Sequence, residues 1–358
     1  MRASRKARWG HSVNRLKVVR LDLPLDAATF DGLLAAAPEL TLSVQRARGD
    51  DETTWQALAT AQVYHVSSAR DDLPAPWFVN AALLQRCPQL LAVSSYGAGY
   101  DTVDVAACTA AGVAVLNQSG SNASAVAEHT LGLMLGLCKR IGESDRRLRR
   151  GERFTRADMM GTDLAGRTLG IVGIGHAGRR VAALAQAFGM TVMACDPFVD
   201  AAEILRRGAE PVSMTQLLQR ADVVSLHCPL DSRTTGLFGS VAFAAMKPGA
   251  FFITTARGGI HDEAALLAAL LSGHLAGAGL DVWDVEPPAA SHPLLALDTV
   301  LATAHTAGVT REARVAMASM AAQQIIGLAR GERPPRLVNS AVWPRTAARL
   351  AQAVRASS

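Results

Sequence analysis

Short apolar runs alternate with helical patterns from Leu16 onward. The runs predict strands at Leu16–Leu21, Leu40–Val44, Gln62–Val66, Leu90–Ser94 and Val113–Leu116. Between them, apolar side chains recur at helical spacing, for example over Trp77–Arg86 and Val103–Ala111. Strands that alternate with helices are typical of a parallel sheet covered by helices on both faces.

A second alternation follows a long helical pattern that begins near Ala123, has Asn122 as its predicted cap and continues to Ile141. The predicted strands are Leu169–Gly173, Thr191–Cys195, Val223–Leu226, Ala250–Thr254, Ala278–Leu280 and Val300–Ala302, and a last helix is predicted over Arg311–Ala329. Two successive units of this kind predict an α/β protein. We expect two doubly wound parallel-sheet domains, Rossmann-like or flavodoxin-like, with a ligand-binding cleft between them.

A glycine-rich turn follows the apolar run Leu169–Val172 and opens a helical pattern. In this arrangement the first glycine permits a tight turn, the second lets the backbone approach a pyrophosphate, and the third lets helix and strand pack closely. The helix N-terminus offers free N–H groups and a positive dipole end to the phosphates. The predicted dinucleotide contacts are Gly173, Gly175, His176, Ala177 and Gly178, with His176 acting through its backbone.

An acidic residue ends the next predicted strand, as such a site requires. Asp196 lies 23 residues beyond Gly173. A carboxylate there accepts hydrogen bonds from ribose hydroxyls and repels a 2′-phosphate, which favours NAD over NADP. The alternative is an Asp that only begins the Asp196-Pro197 turn.

Three further polar residues, Arg257, Glu286 and His305, follow predicted strands or lie a few residues beyond them. In a doubly wound sheet the carboxyl ends of the strands line the ligand site. Each residue alone also has an ordinary interpretation: a surface arginine, a turn carboxylate and a core histidine.

Several motifs occur in a fixed order along the chain: Ser95–Asp104, Val126–His129, the glycine turn, His227–Leu230, Met246–Ala250 and the segments at Arg257, Glu286-Pro287 and His305. Over about residues 40–335 the chain closely resembles the D-isomer-specific 2-hydroxyacid dehydrogenases, which include phosphoglycerate dehydrogenases and glyoxylate or hydroxypyruvate reductases. The ordered set is far more specific than any one motif.

The resemblance implies an NAD-dependent oxidoreductase that interconverts a 2-keto acid and a D-2-hydroxy acid by hydride transfer. It implies that Arg257 holds the substrate carboxylate and carbonyl oxygen, and that His305 is the general acid–base. Glu286 would orient His305 and favour its protonated form.

The resemblance also implies the residues around cofactor and substrate. Asp281 would face the nicotinamide carboxamide. Cys228, Thr255, Ala256 and Gly308 would complete the cofactor pocket, and Tyr96, Gly97 and Ala98 would line the substrate pocket. The five cysteines are at least 21 residues apart and have no metal-ligand spacing, so we expect no metal and a reducing cytoplasm.

The connectivity of the family implies discontinuous domains. An NAD-binding domain over residues 119–307 would be inserted into a substrate domain formed by residues 17–118 and 308–340. Residues 1–16 would be a disordered basic extension and residues 341–358 a C-terminal tail. The helix near Ala123 would supply the contact of a homodimer through the NAD domain.

Two serines bear on the substrate. Family members that act on 3-phosphoglycerate usually carry arginines at positions that look like Ser67 and Ser95 here, and Tyr96 resembles the residue of glyoxylate and hydroxypyruvate reductases. We therefore expect a small unphosphorylated 2-keto acid, with 3-phosphoglycerate as the alternative.

Charge changes this interpretation little. The 358 residues carry a net charge of +5, but seven basic and no acidic side chains lie in residues 1–20, so 29 basic and 31 acidic side chains remain for the rest. The segment Arg146–Arg150 is basic, but it ends a predicted helix, where cations suit the dipole, and acidic residues are interspersed. We therefore expect no nucleic-acid partner, and the alternative of another class is an NAD-sensing, corepressor-like binding protein. No apolar run approaches the ~18–20 residues of a membrane span.

Overall fold

The computed structural model describes residues 15–23, 26–47 and 51–355. The chain divides into two units, Met1–Ser121 with Arg311–Ser358, and Asn122–Thr310. Residues 1–14 of the extension predicted over residues 1–16 lie outside the described residues. Leu16, its last residue, belongs to the first strand.

Twelve strands are present in the described residues: β1 Leu16–Leu21, β2 Leu40–Gln45, β3 Val63–Ser67, β4 Ala92–Tyr96, β5 Ala114–Leu116, β6 Thr168–Val172, β7 Thr191–Cys195, β8 Glu210–Pro211, β9 Val223–Leu226, β10 Ala250–Thr254, β11 Leu275–Leu280 and β12 Val300–Ala302. The α-helices of the same residues are α1 Ala27–Ala35, α2 Glu52–Ala59, α3 Ala81–Arg86, α4 Val105–Ala111, α5 Ala123–Cys138, α6 Ile141–Arg149, α7 His176–Ala187, α8 Ala201–Arg206, α9 Met214–Arg220, α10 Ser240–Ala245, α11 Glu263–Leu271, α12 Arg311–Ala329 and α13 Trp343–Arg355. None of these helices has both the length and the apolar composition needed to cross a bilayer.

The first unit contains a five-stranded sheet in the order β2-β1-β3-β4-β5, and every pairing is parallel. The strand predicted over Leu90–Ser94 is shifted along the chain to Ala92–Tyr96. The reason is that the Leu90 N–H donates to the Cys87 carbonyl and closes the turn after α3, so the ladder starts later. Tyr96 is therefore the last residue of a strand.

The C-terminal tail predicted over residues 341–358 is corrected by the structure, because α13 occupies most of it. Thr346 is fully buried and donates from its hydroxyl to the Gly112 carbonyl at 3.2 Å, and Leu350 is also buried. Arg349 donates to the Pro88 carbonyl at 2.8 Å. The residues that this helix contacts lie more than 200 positions earlier in the chain.

The second unit contains a seven-stranded parallel sheet in the order β12-β11-β10-β9-β6-β7-β8. One apolar core includes residues of α5 and α7, and another includes residues of α9, α10 and α11. The strand order reverses between β6 and β9, and the loops after these strands leave in opposite directions at such a point. The predicted α/β fold class with two parallel sheets is confirmed.

The helical pattern from Ala123 to Ile141 forms two helices rather than one, which corrects the sequence prediction. Helix α5 ends at Cys138, and Arg140 adopts a left-handed conformation with φ 52° before α6 begins. The Cys138 carbonyl accepts the N–H of Thr162 at 2.7 Å instead of continuing the helix. Asn122 stands at the start of α5, but its side chain makes no capping hydrogen bond. The side-chain amide of Asn122 instead lies against Gly308: a Cβ on Gly308 would be only 2.6 Å from the Asn122 side-chain nitrogen.

Candidate active site

The glycine turn connects β6 to α7 and is enclosed by neighbouring backbone. Gly173 has φ 89°, and a Cβ there would lie 2.9 Å from the nitrogen of Cys228. A Cβ on Gly178 would collide with the Gly173 carbonyl oxygen. By contrast, a Cβ on Gly175 would meet nothing within 4 Å. Two of the three glycines are thus required by close packing, and the third borders open space.

Helix α7 begins at this open side of the turn. Gly175 occupies its cap position, and no side chain caps the first-turn N–H groups. Unsatisfied N–H groups at a helix N-terminus, with the positive dipole end, suit a phosphate. The side chain of His176 is exposed and its Nδ1 lies 2.9 Å from the Arg179 guanidinium, and the backbone contacts of His176 and Ala177 with a dinucleotide stay a prediction.

Two charged side chains hold the peptide groups of Ile174, the residue between the first two glycines. Asp196 accepts the Ile174 N–H at 3.0 Å, and Arg207 donates to the Ile174 carbonyl at 2.7 Å. Asp196 also accepts the N–H of Phe198 at 3.0 Å, so it begins a turn and contacts the glycine turn at once. The sequence analysis did not single out Arg207, because nothing in the local pattern connects it with Ile174.

Three other predicted cofactor residues of this unit, Cys228, Thr255 and Ala256, follow β9 and β10. Cys228 is half-buried beside Gly173, and burial raises the pKa of its thiol to about 11. The hydroxyl of Thr255 is buried, 3.3 Å from that of Thr130. Ala256, also buried, offers its carbonyl to the Arg257 guanidinium at 2.7 Å.

Glu286 and His305 form a hydrogen-bonded pair. Oε2 of Glu286 lies 2.7 Å from Nδ1 of His305, and Oε1 of Glu286 accepts the N–H of Trp283 at 3.0 Å. Both carboxylate oxygens are therefore engaged. His305 has φ 52°, a left-handed conformation that a non-glycine residue adopts only where its surroundings hold it.

The pair shifts both proton affinities. Burial alone would lower the pKa of His305, but the hydrogen bond and charge of Glu286 outweigh it and raise that pKa above its usual value. Burial alone would raise the pKa of Glu286, but the hydrogen bond and charge of His305 lower it overall. The half-buried Arg257 is close enough to favour the ionised Glu286 and to oppose the protonated His305. The side chains of His305, Glu286 and Arg257 therefore lie close enough together to influence one another's charge.

Asp281 holds the backbone that carries His305. Its carboxylate is fully buried and accepts the hydroxyl of Thr303 at 2.6 Å and the N–H groups of Thr306 and Ala307 at 2.8 and 2.9 Å. The Asp281 carbonyl also accepts the N–H of His305 at 2.7 Å. These partners all belong to the His305 segment, and the contact of Asp281 with a nicotinamide stays a prediction.

Three of the predicted substrate residues, Tyr96, Gly97 and Ala98, lie in the first unit. The Tyr96 side chain is buried, which raises its pKa, and its hydroxyl donates to the Arg314 carbonyl at 3.4 Å. The carbonyl of Gly97 accepts the N–H of Gln118, and that of Ala98 accepts the side-chain amide of Asn117, both at 2.7 Å. These bonds tie the loop carbonyls back into the unit.

Sequence reasoning missed three polar residues near Arg257 and Glu286. Asp284, Glu263 and His292 are connected by hydrogen bonds beside the turn that follows Arg257. Glu263 lies just after that turn in the sequence, which is the one local sign of a role. Its hydrogen-bond partners lie 21 and 29 residues later, where no local pattern connects them with it. No three His, Cys, Asp or Glu side chains of the described ranges are grouped as a metal site requires.

Comparison with known proteins gives a consistent result. Residues 131–307 match the sequence model of a family described as "D-isomer specific 2-hydroxyacid dehydrogenase, NAD binding domain". The chain is 38% identical over 267 residues to a glyoxylate reductase of Korarchaeum cryptofilum, covering 74% of this chain and 80% of that protein. It is 39% identical over 253 residues to a D-3-phosphoglycerate dehydrogenase of Archaeoglobus fulgidus, covering 71% of this chain. The chain spans about half the length of the phosphoglycerate dehydrogenases it matches.

Solved structures show the same likeness. A glyoxylate reductase from Paecilomyes thermophila superimposes with a TM-score of 0.81 at 28% identity, covering 92% of this chain and 99% of that one. A D-lactate dehydrogenase from Aquifex aeolicus, complexed with NAD and lactic acid, superimposes with a TM-score of 0.78 at 25% identity, covering 90% and 99% of the two chains.

Proposed function

The chain belongs to the D-isomer specific 2-hydroxyacid dehydrogenases, and on this basis we propose that it is an NAD-dependent oxidoreductase that interconverts a 2-keto acid and a D-2-hydroxy acid. The observation that carries the proposal is the 2.7 Å pair of His305 and Glu286 beside Arg257. It combines a proton donor of raised pKa with a cation that binds carboxylates.

The glycine turn fits a dinucleotide. The open side at Gly175 leaves room for a pyrophosphate beside the uncapped start of α7, and Asp196 stands next to the turn, where a ribose hydroxyl needs an acceptor. When bound, the nicotinamide supplies or accepts the hydride. The residues that would hold NAD are Gly173, Gly175, His176, Ala177, Gly178, Asp196, Cys228, Thr255, Ala256, Asp281 and Gly308.

The protein's own side chains perform three tasks in this scheme. Arg257 holds the substrate carboxylate and stabilises negative charge on the carbonyl oxygen. His305 donates a proton from Nε2 to that oxygen during reduction and removes it during oxidation. Glu286 fixes the ring through Nδ1 and stabilises the imidazolium, as a carboxylate partner does in other acid–base pairs.

For the substrate we propose a small unphosphorylated 2-keto acid, such as glyoxylate or hydroxypyruvate, with Tyr96, Gly97 and Ala98 lining the pocket. The hydroxyl of Ser95 donates to the Gly99 carbonyl at 2.7 Å, and that of Ser67 to the Asp72 carboxylate at 3.4 Å. Both serines are buried, and because a serine side chain is uncharged, neither offers a cation to a phosphate. The main alternative is 3-phosphoglycerate, in keeping with the phosphoglycerate dehydrogenases among the relatives.

A homodimer in the cytoplasm completes the proposal, with α5 and the segment after it at the contact. That segment exposes the apolar side chains of Ile141, Leu148 and Met160, and exposed apolar groups of this kind favour association. Light scattering after size-exclusion chromatography should give twice the chain mass, and Leu148→Glu should reduce it. A single chain mass for the unaltered protein would contradict the dimer.

One assay tests the activity. The protein is incubated with NADH and glyoxylate, hydroxypyruvate, pyruvate or phenylpyruvate, and in parallel with NAD and 3-phosphoglycerate, and absorbance at 340 nm is followed. We expect the fastest oxidation of NADH with glyoxylate or hydroxypyruvate. NADH binding without turnover of any substrate would instead support the corepressor-like binding protein, and turnover of 3-phosphoglycerate alone would reassign the substrate.

A further inference from the structure

The turn that follows Arg257 packs directly on the backbone that leads to Glu286. A Cβ on Gly258 would collide with the carbonyl of Trp283, so the two chain segments touch through their peptide groups. The N–H of Gly259 donates to the Asp284 carboxylate at 2.7 Å. Trp283 in turn donates its N–H to Glu286. The position of Arg257 relative to Glu286 therefore depends on how residues 283–284 are held.

Residues 283–284 are held by Glu263, the first residue of α11. Its Oε1 accepts the Asp284 N–H at 2.9 Å, and its Oε2 lies 3.0 Å from Nε2 of His292. The side chains of Glu263 and His292 are 16% and 21% exposed, so solvent weakens their interaction less than that of a surface pair. Both carboxylate oxygens are committed to the segment that carries Glu286.

His292 connects this pair to two other elements. Its Nδ1 accepts the N–H of Leu294 at 3.3 Å and caps the short 3₁₀ helix Pro293–Ala296. Because Nδ1 accepts, the neutral ring carries its proton on Nε2, where it donates to Glu263. The ring also packs edge-on against Trp283, with centroids 5.3 Å apart. One neutral tautomer thus satisfies every contact.

From these contacts we propose that Glu263 and His292 are positioning residues for the reaction, which hold the turn of Arg257 and the segment of Glu286 in a fixed relation. This inference rests on the proposed function. Neither side chain reaches the reacting atoms: they act through Asp284 and Trp283. Misplacing a substrate-binding group by about 1 Å can cost about 100-fold in rate, so the loss of these positioning contacts should have a measurable effect.

Three variants separate the contacts. His292→Asn retains an acceptor for the Leu294 N–H but is too short to reach Glu263, whereas His292→Gln has the length to reach Glu263. Glu263→Gln retains the acceptor for Asp284 but turns an amide toward the His292 N–H. Glu210→Gln is the matched control, because Glu210 is an exposed residue of β8 that forms an ion pair with Arg220.

Steady-state kinetics with NADH and the best 2-keto acid provide the first measurement. We expect Glu263→Gln and His292→Asn to lower kcat/KM about 10- to 100-fold, with a raised KM and an alkaline limb shifted to lower pH, because both Arg257 and Glu286 are displaced. His292→Gln should recover most of the activity, and Glu210→Gln should match the unaltered protein. A loss through partial unfolding would lower kcat alone. An unchanged KM and pH limb in both disruptive variants would overturn the proposal.

Hydrogen exchange followed by mass spectrometry provides a second measurement that needs no turnover. Peptides covering residues 257–263 and 283–286 should exchange faster in Glu263→Gln and His292→Asn than in His292→Gln. Equal exchange in all variants would show that Glu263 and His292 do not hold these two segments in place. If the unaltered protein reduces no 2-keto acid, the proposed function fails. The exchange data still decide whether Glu263 and His292 hold the two segments.

Discussion

Nδ1 of His305 lies 2.7 Å from Oε2 of Glu286, so a carboxylate occupies one ring nitrogen, and in the proposed reaction Nε2 is the nitrogen that exchanges a proton with substrate. This arrangement orients the ring and makes it more basic at the same time. The consequences can be measured as changes in the pH dependence of the rate, in the activity of variants at each partner, and in the stability of variants in the supporting segments.

The pH dependence of 2-keto acid reduction should have its alkaline limb above the ordinary histidine pKa of 6.5, because Glu286 raises the pKa of His305. If His305 is the proton donor, as proposed, the rate of reduction falls as pH rises through that raised pKa, and the rate of hydroxy-acid oxidation rises over the same range. Glu286 has a lowered pKa and stays ionised down to below pH 4.5. Initial rates from pH 5 to 10 check this, and a limb below pH 6.5 would contradict it.

Replacing Glu286 by Gln should move the alkaline limb of reduction to lower pH. The amide cannot stabilise the imidazolium by charge, while burial, which lowers the pKa of His305, remains. The same pH series with the variant measures the shift. An unshifted limb would mean that Glu286 does not set the proton affinity of His305.

The substitution His305→Ala should lower kcat by about 10²–10⁴-fold, the usual contribution of a positioned acid–base group. NADH binding, followed by the change in its fluorescence, should stay nearly unchanged, because the glycine turn and Asp196 lie on other strands of the sheet. Loss of NADH binding would reassign His305 to the cofactor pocket.

Asp196→Ala should weaken NADH binding by about 10- to 100-fold, since a hydrogen bond to a charged group contributes about 1.5–3 kcal/mol. It should also relax the preference against NADPH, because it removes a negative charge and leaves Arg207 at the neighbouring Ile174 carbonyl. Titrations with both cofactors measure the ratio, and Asp163→Ala, an exposed carboxylate paired with Lys139, is the control. Equal use of NADPH by the unaltered protein would refute the role of Asp196.

Asp281→Asn should destabilise the fold by about 1–3 kcal/mol, because the amide places a donor among three groups that donate to the buried carboxylate. Urea unfolding measures the loss. Asp298→Asn, which removes the negative charge of a half-buried partner of Arg146 and Arg150, should cost less than about 1 kcal/mol. Similar losses in both variants would mean that Asp281 does not hold the His305 segment.

The family resemblance drawn from ordered motifs is confirmed, as are the parallel sheets. Local patterns sufficed for this because apolar periodicity and glycine spacing depend on residues that are close along the chain. Strands such as Thr191–Cys195 and Val223–Leu226 and the helix Arg311–Ala329 were predicted with their observed ends.

The sequence by itself thus determined most of the strands, the glycine turn and the order of the candidate polar residues along the chain. Only the tertiary structure decided which groups meet: Arg207 with Ile174, Asp281 with the His305 segment and Glu263 with His292. It also decided the break at Arg140, where Cys138 bonds to Thr162. The physical reason is that these hydrogen bonds join residues 22 or more positions apart, and packing brings such partners together without leaving a local signature in the chain.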